Sequence, residues 1–236
     1  MILQYQRFHS SASTSIECGA VIQPPALLDL HYITCISGSS AAADPTLLEA
    51  CMSSGSGVWP ILSCLPALWR FLQCRRSFYD TGNGRHLFNA AKYCTTFPVV
   101  FLAALFSVWV PRGTSVMSLG FLDTGWVVAC LVLSSLVNAM YTFVWDIYFD
   151  WGMVDTSFSL RPHRLYRRKC YYYFTMVLNF LLRFTWTVKL MVVLLWRKDS
   201  DLLYTTLAVA EIFRRFVWNF FRVELEQVSH SIPDSK

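Results

Sequence analysis

The chain has 236 residues, 55% of them hydrophobic and 15% charged, with a formal net charge of +5. Soluble domains carry about 25% charged residues, so this is the composition of a membrane protein. The basic residues lie between apolar runs and form no solvated stripe, which excludes a nucleic-acid-binding surface.

In chain order, residues 1–56 form a lead-in. Met1–Ala20 is polar and Ser-rich and lacks the basic start and continuous apolar stretch of a signal peptide. Ala26–Ile36 holds a short apolar patch, Leu27-Leu28-Asp29-Leu30-His31-Tyr32-Ile33, enough for one partial helix, before Ser37–Gly57 returns to Ser, Ala and Gly. Five segments then have the length of about 20 residues that spans a bilayer: Gly57–Cys74, Ala91–Val110, Leu119–Trp145, Tyr171–Trp196 and Leu202–Val223. The first is interrupted by Pro60, Pro66 and Arg70 and reads as a kinked helix. The expected fold is all-α, a polytopic bundle of about five to six transmembrane helices over residues 57–226, followed by a tail over 227–236.

Charge between the spans sets the orientation. Arg75, Arg76 and Arg85 follow the first span, and Arg161, Arg164, Arg167, Arg168 and Lys169 follow the third. Only Arg112, Arg197 and Lys198 lie on the alternate side, so the richer side and the C-terminus are expected in the cytoplasm. The eight cysteines show no CxxC pair and no metal-type spacing with histidine, so neither a disulfide framework nor a metal site is expected.

The chemistry-bearing residues lie inside the apolar runs. Glu211 precedes Arg214 by three residues and Arg215 by four, so the three share one helical face near the middle of the last segment. Each arginine there costs roughly 2.5–3.5 kcal/mol on insertion scales, so the pair must face protein or water. One carboxylate does not neutralise two guanidiniums, and the surplus invites an anion, although an ion pair that only fixes helix packing stays open. Arg183 lies halfway along the fourth segment with Trp186 one turn on, which repeats the theme. Asp146 and Asp150 close the third segment; Asp146 is placed to balance the arginines, and Asp150 reads equally as a solvated helix end. Lys92 and Tyr93 open the second segment, where a lysine ordinarily anchors to headgroups. The chain has no GxxxxGK[ST], HExxH or GxSxG motif, so no enzyme and no cofactor is expected.

These residues fall in runs that resemble, in order, the EXS domain family. They are Trp69-Arg70-Phe71-Leu72-Gln73-Cys74, Tyr79-Asp80-Thr81, Phe88-Asn89-Ala90-Ala91-Lys92-Tyr93, Trp145-Asp146 with Asp150-Trp151-Gly152, Arg183-Phe184-Thr185-Trp186-Thr187, and Glu211 to Asn219. The resemblance covers about Ile61 to Glu226 and, more faintly, Leu27–Cys35. It implies a helical phosphate-export pathway, channel-like or uniporter, with inorganic phosphate bound by Lys92, Tyr93, Arg183, Trp186, Arg214 and Arg215, and with Asp146 and Glu211 in the charge network. It promotes Lys92 from anchor to ligand. It also implies the plasma membrane as location, with the Golgi or another endomembrane as alternative. No part of the chain resembles the family's SPX domain or its upstream acidic helix, so the chain is expected to be a C-terminal piece that exports little phosphate alone. The competing expectations are a Golgi or ER sorting factor, and a non-transporting subunit that forms a homo-oligomer or binds a full-length relative.

Overall fold

The computed structural model describes residues 24–38, 58–109, 121–154, 159–162, 164–195 and 201–231. These are helices and connecting turns, with one isolated bridge between Val154 and Leu160. The chain divides into two compact units, Met1–Pro111 and Arg112–Lys236.

In the first unit α1 (Pro24–Gly38), α3 (Gly84–Cys94) and α4 (Thr96–Trp109) each pack against α2 (Val58–Thr81). The α2–α3 connection follows from its sequence. Gly82 adopts a positive φ of 67° and donates its N–H to Phe78 O at 2.8 Å, the left-handed stop that glycine makes without a Cβ penalty. Asn83 then caps α3 by accepting from Arg85 N at 3.0 Å. A two-residue turn between helices of this length returns α3 along α2. Pro98 sets the next break: its ring would clash with the carbonyl of Cys94, and the helix yields at Thr95. Thr95 closes the end by donating Oγ1 to Lys92 O at 2.7 Å. The stretch expected as one span from Ala91 is therefore two helices meeting at Thr95. Cys35 is disulfide-bonded, contrary to the expectation from spacing, whereas Cys64, Cys74, Cys94, Cys130 and Cys170 are free.

The second unit holds α5 (Phe121–Trp145), α6 (Cys170–Arg183), α7 (Thr185–Leu195) and α8 (Asp201–Ser231), with α6 packed on both α5 and α8. α5 does not end where the hydropathy does. It widens into a π turn over Asp146–Asp150, closed by Trp151 N donating to Asp146 O at 2.8 Å. Such turns recur at functional sites. Beyond it, Ile147, Trp151, Met153, Tyr172 and Phe221 form the core, drawn from the turn, α6 and α8. The fourth segment is likewise broken, at Phe184. Thr185 Oγ1 donates to Leu182 O at 2.9 Å and Thr187 Oγ1 to Phe184 O at 2.7 Å, back-bonds of the kind that bend helices.

Gly152 carries the connection out of the π turn with a positive φ of 52°, and a Cβ there would meet Leu225 Cδ1 at 3.1 Å. Gly152→Ala is expected to cost roughly 1–2 kcal/mol from the backbone alone. A thermal-unfolding midpoint equal to wild type in detergent would contradict this.

Among the described residues, three stretches are long and apolar enough to cross a membrane: Gly84–Trp109, Gly125–Asp150 and Cys170–Val192. The other two expected spans, Gly57–Cys74 and Leu202–Val223, fall on α2 and α8, which are helical and long enough but not apolar enough to qualify. α8 has 31 residues, about 46 Å at 1.5 Å per residue, and runs on through the segment expected as a tail to Ser231.

Candidate functional site

Asp146 is the hub of the second unit. It sits where α5 gives way to the π turn, is 3% exposed, and receives donors from two other helices. From α6, Asn179 Nδ2 donates to its Oδ2 at 3.0 Å and Arg183 forms an ion pair with the same oxygen. From α8, Trp218 Nε1 donates to Oδ1 at 3.3 Å. A buried carboxylate needs such partners, since desolvation is repaid only by good geometry and satisfied lone pairs. The π turn supplies that position: its five-residue step ends the α-helical stacking of Asp146 on Asp150.

On α8, Glu211, Arg214 and Arg215 share a face as their spacing predicts. Arg214 donates Nε and Nη2 to the two oxygens of Glu211 at 2.8 and 2.7 Å, a bidentate fork. Arg215 donates Nε to Oε1 at 2.9 Å. The two arginines differ in surroundings: the Arg214 side chain is 10% exposed and that of Arg215 48%. The α6 and α8 groups form one electrostatic cluster, because Arg214 and Glu211 act on the charge of Arg183, and Asp146 acts on that of Arg214.

Charge balance decides what this cluster can do. Arg183, Arg214 and Arg215 face Asp146 and Glu211, three positive charges against two negative. Donors are also left over. Arg183 Nε and Trp186 Nε1 are two of six buried side-chain atoms without a hydrogen-bond partner among the described residues, and Asn179 Oδ1, an acceptor, is another. Buried donors are ordinarily paired, and an anion is the ligand that two such donors and a surplus positive charge accept. Arg183 and Trp186 do not lie on one unbroken helix face as expected, because Phe184 interrupts the helix between them.

Lys92 and Tyr93 lie at the end of α3, in the first unit. Lys92 is buried on that helix, with Nζ 5.0 Å from the centroid of the Tyr93 ring, a cation–π distance. A lysine anchored to headgroups would be exposed, so burial favours an interior role. Asp150 is no solvated helix end: its Oδ1 accepts from Trp145 Nε1 at 3.1 Å, and Arg222 lies 3.9 Å away.

A second buried cluster escaped the sequence reading. Glu224, 2% exposed, accepts from Arg161 Nη2 at 2.9 Å, from Leu165 N at 3.2 Å and from the Tyr172 hydroxyl. Arg161 also donates Nη1 to Trp151 O at 3.2 Å, and Trp151 Nε1 donates to Trp218 O at 3.1 Å. Arg161 is thus tied into the fold, so it drops out of the charge count that sets orientation, while its four basic neighbours remain. Asn179 and Trp218 were also missed as partners of Asp146. The only signal for Asn179 was a polar residue inside an apolar run, and Trp218 lay inside a matched motif without a role.

The EXS family model matches residues 23–228. The chain is 36% identical over 217 residues to the Xenotropic and polytropic retrovirus receptor 1 homolog of Xenopus laevis, which is 86% of this chain and 30% of that protein. It is 36% identical over 220 residues to Solute carrier family 53 member 1 of Homo sapiens, 86% and 31% respectively. The Danio rerio receptor 1 homolog is 36% identical over 219 residues, again 86% of this chain and 30% of that protein. The chain therefore spans under a third of the length of these relatives, which are named as solute carriers and receptors and not as enzymes. By a family match that covers most of its length, the chain belongs to the EXS family.

Proposed function

We propose that the chain forms part of a membrane pathway for inorganic phosphate, with the arginines of α6 and α8 as its anion-binding wall. The observation that carries this is the surplus charge of the Asp146–Arg183–Glu211–Arg214–Arg215 cluster together with the unpartnered Arg183 Nε and Trp186 Nε1. In this reading Arg183, Trp186, Arg214 and Arg215 are the phosphate contacts of the second unit, and Lys92 and Tyr93 are phosphate contacts of the first unit taken by itself. Asp146 and Glu211 hold the arginines in register and keep the net charge low enough for release. Kinship with a protein named as a solute carrier supports transport over a sorting role.

α2 and α8 then cross the membrane in addition to the three apolar stretches, which gives five spans. α8 is admitted despite its charges because they face protein and anion instead of lipid. The C-terminus lies in the cytoplasm and the plasma membrane is the site of action. An inside-negative potential drives anion exit by about 2.3 kcal/mol per charge at 100 mV, so the pathway works without a nucleotide.

The test is efflux of radiolabelled phosphate from cells in which this segment is carried in a transport-competent full-length relative. Arg214→Ala removes a fork but leaves Glu211 paired with Arg215, so the helix is expected to persist. Efflux is expected to fall about tenfold or more, the worth of one charge-assisted hydrogen bond to the anion. Unchanged efflux at equal membrane level would return Arg214 to a packing ion pair.

A further inference from the structure

The loop that precedes α6 and the C-terminal half of α8 border an open cavity that the phosphate reading does not use. Its volume is about 320 Å³, and its walls include Leu165, Tyr166, Phe216, Phe220 and Val223. Tyr166 stacks on Phe220 with ring centroids 5.9 Å apart. Volumes of this size hold small apolar ligands or segments of larger ones. The lining is unusual for a soluble-ligand pocket, because Leu165, Phe216, Phe220 and Val223 are all exposed large hydrophobics. An open apolar cavity on a chain with membrane-spanning helices faces acyl chains.

The charge beside it is distinctive. Arg164, Arg167, Arg168 and Lys169 bracket the two loop residues of the wall and end one residue before Cys170, where a membrane-length apolar helix begins. Among the described residues, none of the four is held in an ion pair. The nearby carboxylates are already engaged: Glu224 with Arg161 at 2.9 Å, and Glu226 with Arg222 at 3.6 Å. The Glu224 pairing keeps the one acid of the cavity wall from repelling a negative ligand, and its bond to Leu165 N fixes the loop against α8. A run of four cations at the membrane end of a spanning helix attracts anionic headgroups, each cation adding about fivefold to the attraction.

We propose that this cavity binds one anionic phospholipid, with an acyl chain against Tyr166, Phe216, Phe220 and Val223 and the headgroup phosphate on the Arg164–Lys169 run. Apolar walls alone take any lipid, and the cations alone hold lipids diffusely. Their junction at one loop selects both parts of a single molecule. The site stands apart from the arginine cluster near Asp146, so either can fail without the other.

The test uses the purified chain in nanodiscs doped with photoactivatable phosphatidylserine or phosphatidylcholine, with cross-links mapped by peptide. Phosphatidylserine is expected to label the stretch Phe216–Gln227 several-fold more than phosphatidylcholine. Combined Arg167→Gln, Arg168→Gln and Lys169→Gln, all at exposed positions, is expected to bring labelling to the phosphatidylcholine level. Val223→Trp, which fills the cavity while leaving the cations, is expected to reduce labelling as well. Equal labelling by the two lipids overturns the proposal. So does full labelling in Val223→Trp, which would mean that surface charge alone attracts the lipid. Displacement by millimolar inorganic phosphate would assign the cations to free phosphate and also overturn it.

Discussion

Asp146→Ala is expected to be the most damaging single substitution in the second unit, at about 3–5 kcal/mol. The carboxylate is buried at the end of α5 and receives Asn179 and Arg183 from α6 and Trp218 from α8. Its removal leaves the Arg183 charge inside the protein without its direct partner. It also releases two further donors and the anchor that joins three helices. Asp146→Asn is expected to recover little, because the new amide presents donors to a site that already supplies only donors. The pairing has a specific signature: Arg183→Ala in the Asp146→Ala background is expected to cost less than it does alone, since the stranded charge is gone. Thermal unfolding of the detergent-solubilised proteins reads these differences. Strictly additive losses would show that the two residues are not coupled.

Arg215→Ala is expected to have the largest effect on transport for the least effect on folding. Its side chain is half exposed and donates one hydrogen bond to Glu211, which keeps the bidentate fork of Arg214. The fold therefore loses little, as is usual for an exposed pair. Phosphate efflux is expected to fall by about tenfold to a hundredfold, the equivalent of one lost charged hydrogen bond. Arg215→Lys is expected to restore only part of it, because a point charge lacks the planar fork that meets two phosphate oxygens. Full efflux in Arg215→Lys would make the residue a generic positive charge, and full efflux in Arg215→Ala would remove it from the pathway.

Local signals in the sequence reached the helices and the α8 charges well. Glu211, Arg214 and Arg215 are separated by three and four residues, so their shared face follows from helical period alone. The breaks were harder. Hydropathy runs unchanged across Thr95 and Phe184, and what interrupts the helix is Pro98 in one case and back-bonding by Thr185 and Thr187 in the other. A hydropathy window averages over such single residues. The π turn at Asp146 was hidden for a similar reason, since it alters the hydrogen-bond step without altering composition.

Contacts between distant positions were the least legible. Glu224 meets Arg161 across 63 residues and Tyr172 across 52. Nothing near Glu224 in the sequence distinguishes a buried acid from the polar end of a helix. Arg161 sat in a run of five basic residues and is the one drawn into the buried Glu224 cluster. Asp146 was legible as a balancing charge because it adjoins an apolar run, but its partner Asn179 is neutral, and a charge argument passes over it.

The central claim is that the arginine cluster of α6 and α8 holds phosphate, and equilibrium binding tests it without requiring transport. Radiolabelled phosphate is titrated onto the purified chain in nanodiscs of neutral lipid, with wild type beside Arg183→Ala, Arg214→Ala and Arg215→Ala. The account predicts saturable binding by wild type, weakened about tenfold or more in each variant while circular dichroism shows the helices intact. Binding that is absent in wild type, or that survives all three substitutions unchanged, would contradict it.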